Sequence, residues 1–137
     1  MPLRIELAPN ERVIIGNVSI RNGPRRAEFV VETQTTILRE RDIITEREAD
    51  TPAKRLYLAL EMAYLSDDPV PAEAVFMSQA NEMMQTWPEV APTVARIFES
   101  LLAGDYYRAL KRAKRLIAME AERGGSGEAR PDLKQAS

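Results

Sequence analysis

The stretch TILRERDIITEREADTPAKRLYLALE, residues 36–61, decides the fold because its character changes twice. It starts as a short apolar segment, continues as a run crowded with Arg, Asp and Glu, and becomes almost wholly apolar after Arg55. Thr51 and Pro52 stand at the second change. Thr is a good helix N-cap, and Pro suits the first helical position, where the missing N–H costs nothing. The stretch therefore predicts that a strand-rich half gives way to a helical half near residue 51.

The residues before this boundary have the pattern of β-strands. Leu3, Ile5 and Leu7 alternate with charged residues, which is the period of a half-buried strand. Gly16-Asn17 separates two short apolar runs, and both residues tolerate positive φ, so a two-residue hairpin is expected there. Further short runs lie at 29–31 and 37–38. We predict an antiparallel β-meander of about four or five strands over residues 1–50.

Residues 51–123 are predicted to form a bundle of about four helices. The first helix is apolar on nearly every side except at Glu61, so it must be buried within the fold or between chains. Three more are expected after Pro71, around Val94 and from near Asp105, and Gly104 is the expected C-terminal cap of the third helix. The Gly-rich, apolar-poor residues 124–137 are predicted to be a disordered tail. The fold class is therefore α+β.

Absent residue types exclude several functions. The 137 residues include no Cys and no His, which rules out disulfides, imidazole bases, Ser-His-Asp triads and ordinary zinc sites. The sequence also lacks a Gly-rich phosphate loop and carboxylate pairs at metal-binding spacing. We expect no catalytic residue, no metal and no cofactor. A binding or regulatory protein is favoured over an enzyme.

Location and assembly follow from the same composition. The start of the chain has no apolar run like that of a signal peptide, and no segment approaches the roughly twenty apolar residues of a membrane span. We therefore expect a cytoplasmic protein without membrane contact. A chain of this length buries only a modest core, so a homo-oligomer is expected. The net charge of −2 does not itself suggest nucleic acid.

Two groups of basic side chains are candidates for binding an anion such as an RNA backbone, because Arg forks grip phosphate with two donors. The first group lies at the strand-to-helix boundary and includes Arg39, Arg41 and Arg55, with Arg47 and Lys54 beside them. The loop arginines Arg21, Arg25 and Arg26 join this group if the meander folds back on it. The second recurs along one stripe of the fourth helix and comprises Arg108, Lys111, Arg112 and Arg115. Acidic residues such as Glu40, Asp42 and Glu48 lie close to the first group. A solvated surface, structural ion pairs and a phosphate site are all compatible with this pattern.

Apolar helix surface is the candidate for protein interaction. The interface candidates are Leu56, Tyr57, Leu60, Tyr64, Met83, Met84 and Trp87. Core packing is the default interpretation for side chains on apolar helical stripes. Tyr107, next to the inward-facing Tyr106, is the aromatic residue expected to face outward, where a ring can stack on an RNA base.

Three segments, VIIGNVSIRNGPRRAEFVVET, LRERDII and TPAKRLYLALEMAYL, resemble the FlbT family of alphaproteobacterial post-transcriptional regulators of flagellin synthesis. The resemblance extends to about residue 123. It implies a protein that binds the 5′ untranslated leader of flagellin mRNA, limits translation and promotes mRNA decay, coupling flagellin supply to flagellum assembly. It also implies the companion regulator FlaF, or flagellin itself, as a protein partner. It implies no catalytic residue.

A shorter segment, APNERVIIGNVSI, is similar to the opening strands of the carbon-storage regulator CsrA, a β dimer that binds mRNA leaders. The long helical half departs from that family. Two hypotheses follow. Either the arginines contact the leader directly, or the apolar helices form a protein-interaction adaptor whose effect on RNA is indirect.

Overall fold

A computed structural model describes residues 2–125 of the chain. Within these residues the strands are β1 Leu3–Leu7, β2 Arg12–Ile15, β3 Val18–Arg21, β4 Ala27–Val31 and β5 Ile37–Arg39. The α-helices are α1 Pro52–Leu65, α2 Val70–Thr86, α3 Ala91–Leu102 and α4 Tyr106–Gly125, and single 3-10 turns lie at Glu40–Asp42 and Pro88–Val90. The predicted α+β class, with strands first and helices after them, is confirmed.

The described chain forms two compact units. The first contains residues 2–43 together with Leu65–Asp67, and the second contains Ile44–Tyr64 and residues 68–125. All five strands belong to the first unit, and α2, α3 and α4 belong to the second. Helix α4 continues to Gly125, two residues into the segment predicted to be a tail. Residues 126–137, where the rest of that prediction falls, lie outside the described residues.

The strands pair antiparallel in two small sheets, one with the order β1-β4 and the other with the order β3-β2-β5. Among these pairs only β2 and β3 are neighbours in sequence, so the strands are antiparallel as predicted, but their order is not that of the predicted β-meander. The connection between β2 and β3 is the predicted two-residue hairpin, and Gly16 has a φ of 61°. Asn17 does not share the positive φ, which is the pattern of a type II′ turn.

The core of the first unit lies on the inner face of both sheets. Ile5, Leu7 and Val13 are buried there, and Ile15, Phe29, Val31 and Ile37 pack against them. Strand β3 is exposed along its whole length. The sheet β3-β2-β5 therefore presents an edge strand and one end of its outer face to solvent.

Helix α1 begins as the sequence predicts. The Thr51 hydroxyl accepts a hydrogen bond from the Lys54 amide at 3.2 Å, which satisfies one of the unpaired amides of the first turn. Most of its apolar residues are buried, including Leu56 and Leu60 at 0% exposure, whereas Met62 is 56% exposed. Gly104, with a φ of 75°, ends α3, and the Asp105 carboxylate caps α4 at the Arg108 amide. The buried first helix and the glycine cap are confirmed.

Candidate nucleic-acid interface

Two arginines of the first unit lie directly opposite each other across the β2–β3 hairpin. The register pairs Ile15 with Val18 and, three steps further, Arg12 with Arg21. Side chains of directly opposed residues leave the sheet on the same face, and like charges in that position repel each other. Arg12 is half-buried and Arg21 is exposed. The hairpin thus concentrates positive charge at one end of its outer face.

A third arginine stands on the turn that follows β3. The Asn22 side-chain amide donates to the carbonyls of Ala8 and Arg25, both at 2.8 Å, and the Asn10 amide donates to the Gly23 carbonyl at 2.9 Å. These bonds tie the two turns that flank the hairpin to each other. Arg25 is therefore exposed on a backbone that is held in place rather than on a loose loop.

Arg12, Arg21 and Arg25 form what we term the arginine patch. The Arg21 guanidinium donates to the Asn10 carbonyl at 2.9 Å, a bond that fixes its direction without neutralising its charge. Arg12 uses its backbone amide to bind the Glu40 carboxylate. Its guanidinium, like that of Arg25, has no ion-pair partner within residues 2–125. The patch thus places three guanidinium groups on a backbone that is held by hydrogen bonds. Within residues 2–125 no acidic side chain forms an ion pair with them, and the Glu40 carboxylate contacts the Arg12 backbone amide.

Two of the predicted arginines of this unit are engaged in ion pairs. Arg26 contacts Glu6 at 3.1 Å on the exposed face of the β1–β4 sheet. Arg39 contacts Glu11 at 3.1 Å and donates to the Glu6 backbone carbonyl at 2.7 Å. The Ala8 amide and the Arg39 guanidinium together hold the pKa of Glu11 below its usual value. Arg39 therefore joins three segments of the unit, and the ion-pair alternative left open by the sequence applies to it.

Arg41 and Arg55 occupy different surroundings. Arg41 is exposed in the 3-10 turn after β5 and adds its positive field at Glu11. Arg55 is exposed on α1, in the second unit, where it lines a shallow pocket of about 260 Å³ with Leu58, Met62 and Val75. Its surroundings are mainly apolar, which is unlike an RNA-backbone site.

Three basic residues of the α4 stripe are exposed, and the fourth forms hydrogen bonds to α3. Arg108 is exposed and pairs with Asp105 at 3.3 Å, Lys111 lies 5.1 Å from the centre of the Tyr107 ring, and Arg115 is exposed. Arg112 instead turns toward α3, donating to the Arg96 carbonyl at 2.7 Å and to the Ser100 hydroxyl at 2.9 Å. Arg112 is therefore a link between two helices, and the other three face solvent. As expected, Tyr107 also faces outward.

Most of the predicted interface residues are buried within this chain. Leu56, Tyr57, Leu60 and Met83 are buried in it, which makes them core residues because no surface remains for a partner. The half-buried members are Tyr64, Met84 and Trp87. Arg123 covers the Trp87 ring, with its guanidinium carbon 4.5 Å from the ring centre.

Sequence reasoning missed Arg12, although the signal was present. A two-residue turn at Gly16-Asn17 fixes Ile15 opposite Val18, and counting outward from that pair places Arg12 opposite Arg21. Continuing the strand pairing from the turn to the open end of the hairpin would have added Arg12 to the candidates.

Residues 2–125 contain no group of three or more acidic, His or Cys side chains arranged to hold a metal ion. In the same residues, none of the helices has both the length and the apolar character needed to cross a membrane.

Fold and surface together define a small α+β protein with a cationic patch suited to binding anions. The family model described as "Flagellar protein FlbT" matches residues 3–123, and the chain belongs to the FlbT family. It is 41% identical over 130 residues to the probable flagellum biosynthesis repressor protein FlbT 1 of Bradyrhizobium diazoefficiens, covering 94% of this chain and 89% of that protein.

Other relatives extend this similarity. The chain is 37% identical to the probable flagellum biosynthesis repressor protein FlbT of Rhodopseudomonas palustris, over 89% of this chain and 97% of that protein. It is 35% identical to the flagellum biosynthesis repressor protein FlbT of Caulobacter vibrioides, over 91% of each chain. No solved structure matches the chain.

Proposed function

We propose that this protein represses flagellum biosynthesis by binding the 5′ untranslated leader of flagellin mRNA in the cytoplasm, where it limits translation and promotes mRNA decay. Its relatives are named flagellum biosynthesis repressors. The observation that carries the proposal is the in-register pair Arg12 and Arg21, with Arg25 beside it on a fixed turn.

The physical argument concerns charge at the open end of the hairpin. Two arginines directly opposite each other in a strand pair are unfavourable in the free protein, because like charges in this position repel each other. A phosphate between them removes that repulsion and accepts several directed hydrogen bonds, because each guanidinium presents a planar fork of donors. Binding of a polyanion therefore relieves an electrostatic repulsion that is present in the folded, unbound protein.

The patch sets affinity rather than sequence preference. Phosphate contacts position a protein on RNA, whereas base edges and stacked bases in single-stranded loops provide specificity. With a net charge of −2, the chain has no overall positive field to attract RNA. Local contacts at the patch must therefore supply the electrostatic part of binding, and they make it sensitive to salt.

The test is binding of purified, nuclease-treated protein to a labelled flagellin-mRNA leader across a salt titration, with a control leader of equal length. Replacing Arg12, Arg21 and Arg25 by Ala should weaken leader binding and lower the slope of log affinity against log salt by about 2, for three lost contacts to a single strand. The melting temperature should change little, because the relief of like-charge repulsion offsets the loss of the Arg21–Asn10 hydrogen bond. Arg96→Ala, which removes an exposed arginine of α3, is the matched control and should leave both quantities unchanged.

The opposite result has a clear meaning. If well-folded protein binds neither leader at low salt, RNA recognition is not its direct activity, and the protein-interaction adaptor becomes the better hypothesis. If the patch variant and Arg96→Ala lose affinity equally, binding is diffuse and the patch is not the site.

A further inference from the structure

Tyr107, in the second unit, carries an aromatic ring that remains accessible to solvent. It lies on the first turn of α4 and is 41% exposed. Its neighbour Tyr106 donates its hydroxyl hydrogen to the Glu73 carboxylate, so that tyrosine joins α4 to α2. The Tyr107 hydroxyl, by contrast, has no hydrogen-bond partner within residues 2–125. An exposed ring and an unpaired hydroxyl are therefore available to a ligand at this position.

Contacts within the second unit hold the Tyr107 ring in place. The centre of the half-buried Tyr64 ring lies 6.0 Å from its centre, and the two ring planes are inclined at 47°. Tilted aromatic pairs at such a distance attract each other. The Lys111 ammonium lies 5.1 Å from the centre of the Tyr107 ring, within the range of a cation–π contact. Because the ring is already ordered, it loses little conformational entropy when a flat ligand stacks on it.

The face of α4 around Tyr107 is basic. With 3.6 residues per turn, an arc of about 120° around the helix contains Tyr107 and four basic residues. These residues are Arg108, Lys111, Lys114 and Arg115. Lys114 is half-buried and the other three are exposed. The acidic residue of α4 that shares this arc, Glu122, lies about 22 Å further along the helix than Tyr107, so the first three turns of this face are cationic.

We propose that Tyr107 stacks on an unpaired base of single-stranded RNA while the basic residues of this arc bind the neighbouring phosphates. Single-stranded RNA matches both features, because every base has a flat π surface and every linkage carries a negative charge. The Lys111 side chain is exposed and has a flexible stem, so its ammonium can move from the ring to a phosphate of the stacked nucleotide. This inference rests on the proposed RNA-binding function. It adds a base-dependent contact, which the arginine patch does not provide.

The test uses the full chain and a fluorescently labelled, unstructured RNA of about eight nucleotides. A second RNA of the same length lacks its central bases, so it keeps every phosphate but offers no base for stacking. Fluorescence anisotropy across a salt titration measures the affinity for each RNA. We expect the wild type to bind the intact RNA at least about tenfold more tightly than the abasic RNA.

Tyr107→Leu keeps an apolar side chain against Tyr64 but has no aromatic face. It should weaken binding of the intact RNA by about tenfold, without changing binding of the abasic RNA or the slope of log affinity against log salt. Tyr107→Trp retains an aromatic face and should bind the intact RNA at least as tightly as the wild type. Arg115→Ala should instead lower the salt slope by about 0.7 with both RNAs, because it removes one phosphate contact. Phe98→Leu, the same kind of change at a half-buried ring of α3, is the matched control and should leave both affinities unchanged.

Other results would overturn the proposal in distinguishable ways. Equal binding of the intact and abasic RNAs, or equal effects of Tyr107→Leu and Phe98→Leu, would exclude stacking on Tyr107. If the flagellin-mRNA leader still binds through the arginine patch in that case, the proposed function stands without the stacking site. Failure of the folded protein to bind any RNA would overturn both. A labelled Glu-rich peptide of equal charge that binds as tightly as the intact RNA, and is weakened by Tyr107→Leu, would assign this face to an acidic protein instead.

Discussion

Arg39 in β5 forms a partly buried ion pair with Glu11, in the turn between β1 and β2, with 3.1 Å between Nη2 and Oε2. The side chains are 33% and 18% exposed. The Arg39 Nε also donates to Glu11 at 3.2 Å, and its Nη2 donates to the Glu6 carbonyl. One guanidinium thus joins β5 to β1 and to the turn that precedes the hairpin of the arginine patch. This pair holds together strands that are distant in sequence.

Arg39→Ala should destabilise the protein by about 1 to 2 kcal/mol, because it removes charged hydrogen bonds that solvent screens only in part. Urea unfolding at pH 7 measures the change. Arg47→Ala, at an exposed position in the turn before α1, is the control and should stay within about 0.5 kcal/mol of wild type. If the two variants have the same stability, the Arg39 pair does not stabilise the unit.

The same pair predicts a dependence on acid. The pKa of Glu11 is lowered in the folded state, so its contribution is present above the ordinary carboxyl pKa and is lost as pH falls through the lower, folded value. Because Arg39→Ala lacks the ion pair, its stability should fall less than that of wild type over this pH range. The stability difference between wild type and Arg39→Ala should therefore shrink as pH is lowered below about 4.5, and a difference that stays constant there contradicts the assignment.

Glu61 predicts the opposite pH dependence. Glu61 is 6% exposed within the apolar helix α1, and its carboxylate accepts a hydrogen bond from the Ile44 amide at 2.8 Å. Burial raises its pKa to about 7, and the charge of Glu48 acts in the same direction. The folded state therefore holds a proton that the unfolded state has released, and stability should fall as pH rises from about 4.5 to 7.

Glu61→Gln keeps a carbonyl oxygen for the Ile44 amide and removes the ionisable group. At pH 8 the variant should be more stable than wild type by an amount on the order of 1 to 3 kcal/mol, and the advantage should vanish near pH 4 to 5. Urea unfolding across pH 5 to 8 measures the trend. Glu82→Gln, on the exposed face of α2, should show the wild-type slope. A flat difference between Glu61→Gln and wild type would mean that Glu61 does not titrate in this range.

The sequence predicts local features of this fold well and distant contacts poorly. The Thr51 cap, the Gly16-Asn17 hairpin and the Gly104 helix end each depend on residues that are close in sequence, and all are present. The pairing of β1 with β4 and of β2 with β5 depends on which surfaces bury each other, a property that no local pattern contains.

The same division applies to the candidate site. Charge pattern selected Arg21 and Arg25 as candidates, and the structure shows both of them exposed near the hairpin. It could not separate them from Arg39 and Arg112, whose hydrogen-bond partners lie 28 to 33 and 12 to 16 residues away in sequence. An arginine that binds backbone carbonyls has the same sequence signature as one that faces solvent. Only the tertiary contacts distinguish structural arginines from those available to RNA.

Arg112 provides a test of that distinction on α4. Its guanidinium bonds the Arg96 carbonyl and the Ser100 hydroxyl, and Ser100 is 2% exposed. Arg112→Ala should cost about 1 to 2 kcal/mol, because a buried hydroxyl loses a charged partner. Arg115→Ala, on the same helix and exposed, should cost less than about 0.5 kcal/mol. Thermal unfolding of both variants measures the contrast, and equal melting temperatures would argue against a helix-linking role for Arg112.

Gly16 tests the hairpin that positions the arginine patch. Its φ is 61°, and a Cβ at this position would lie 3.1 Å from the Thr35 hydroxyl oxygen. Gly16→Ala therefore combines an unfavourable backbone conformation with a tight contact, and we expect a loss of about 1 to 2 kcal/mol. Gly23→Ala is the control, since a Cβ there meets no atom within 4 Å.

The hairpin variant should also affect RNA binding if the register of the patch matters. A distorted turn moves Arg12 relative to Arg21 without removing either charge. Folded Gly16→Ala should thus bind a flagellin-mRNA leader more weakly than Gly23→Ala, with a smaller salt slope, because fewer phosphates are contacted at once. Matched affinities would show that the two arginines act as independent charges, and that their opposition across the hairpin is not needed for binding.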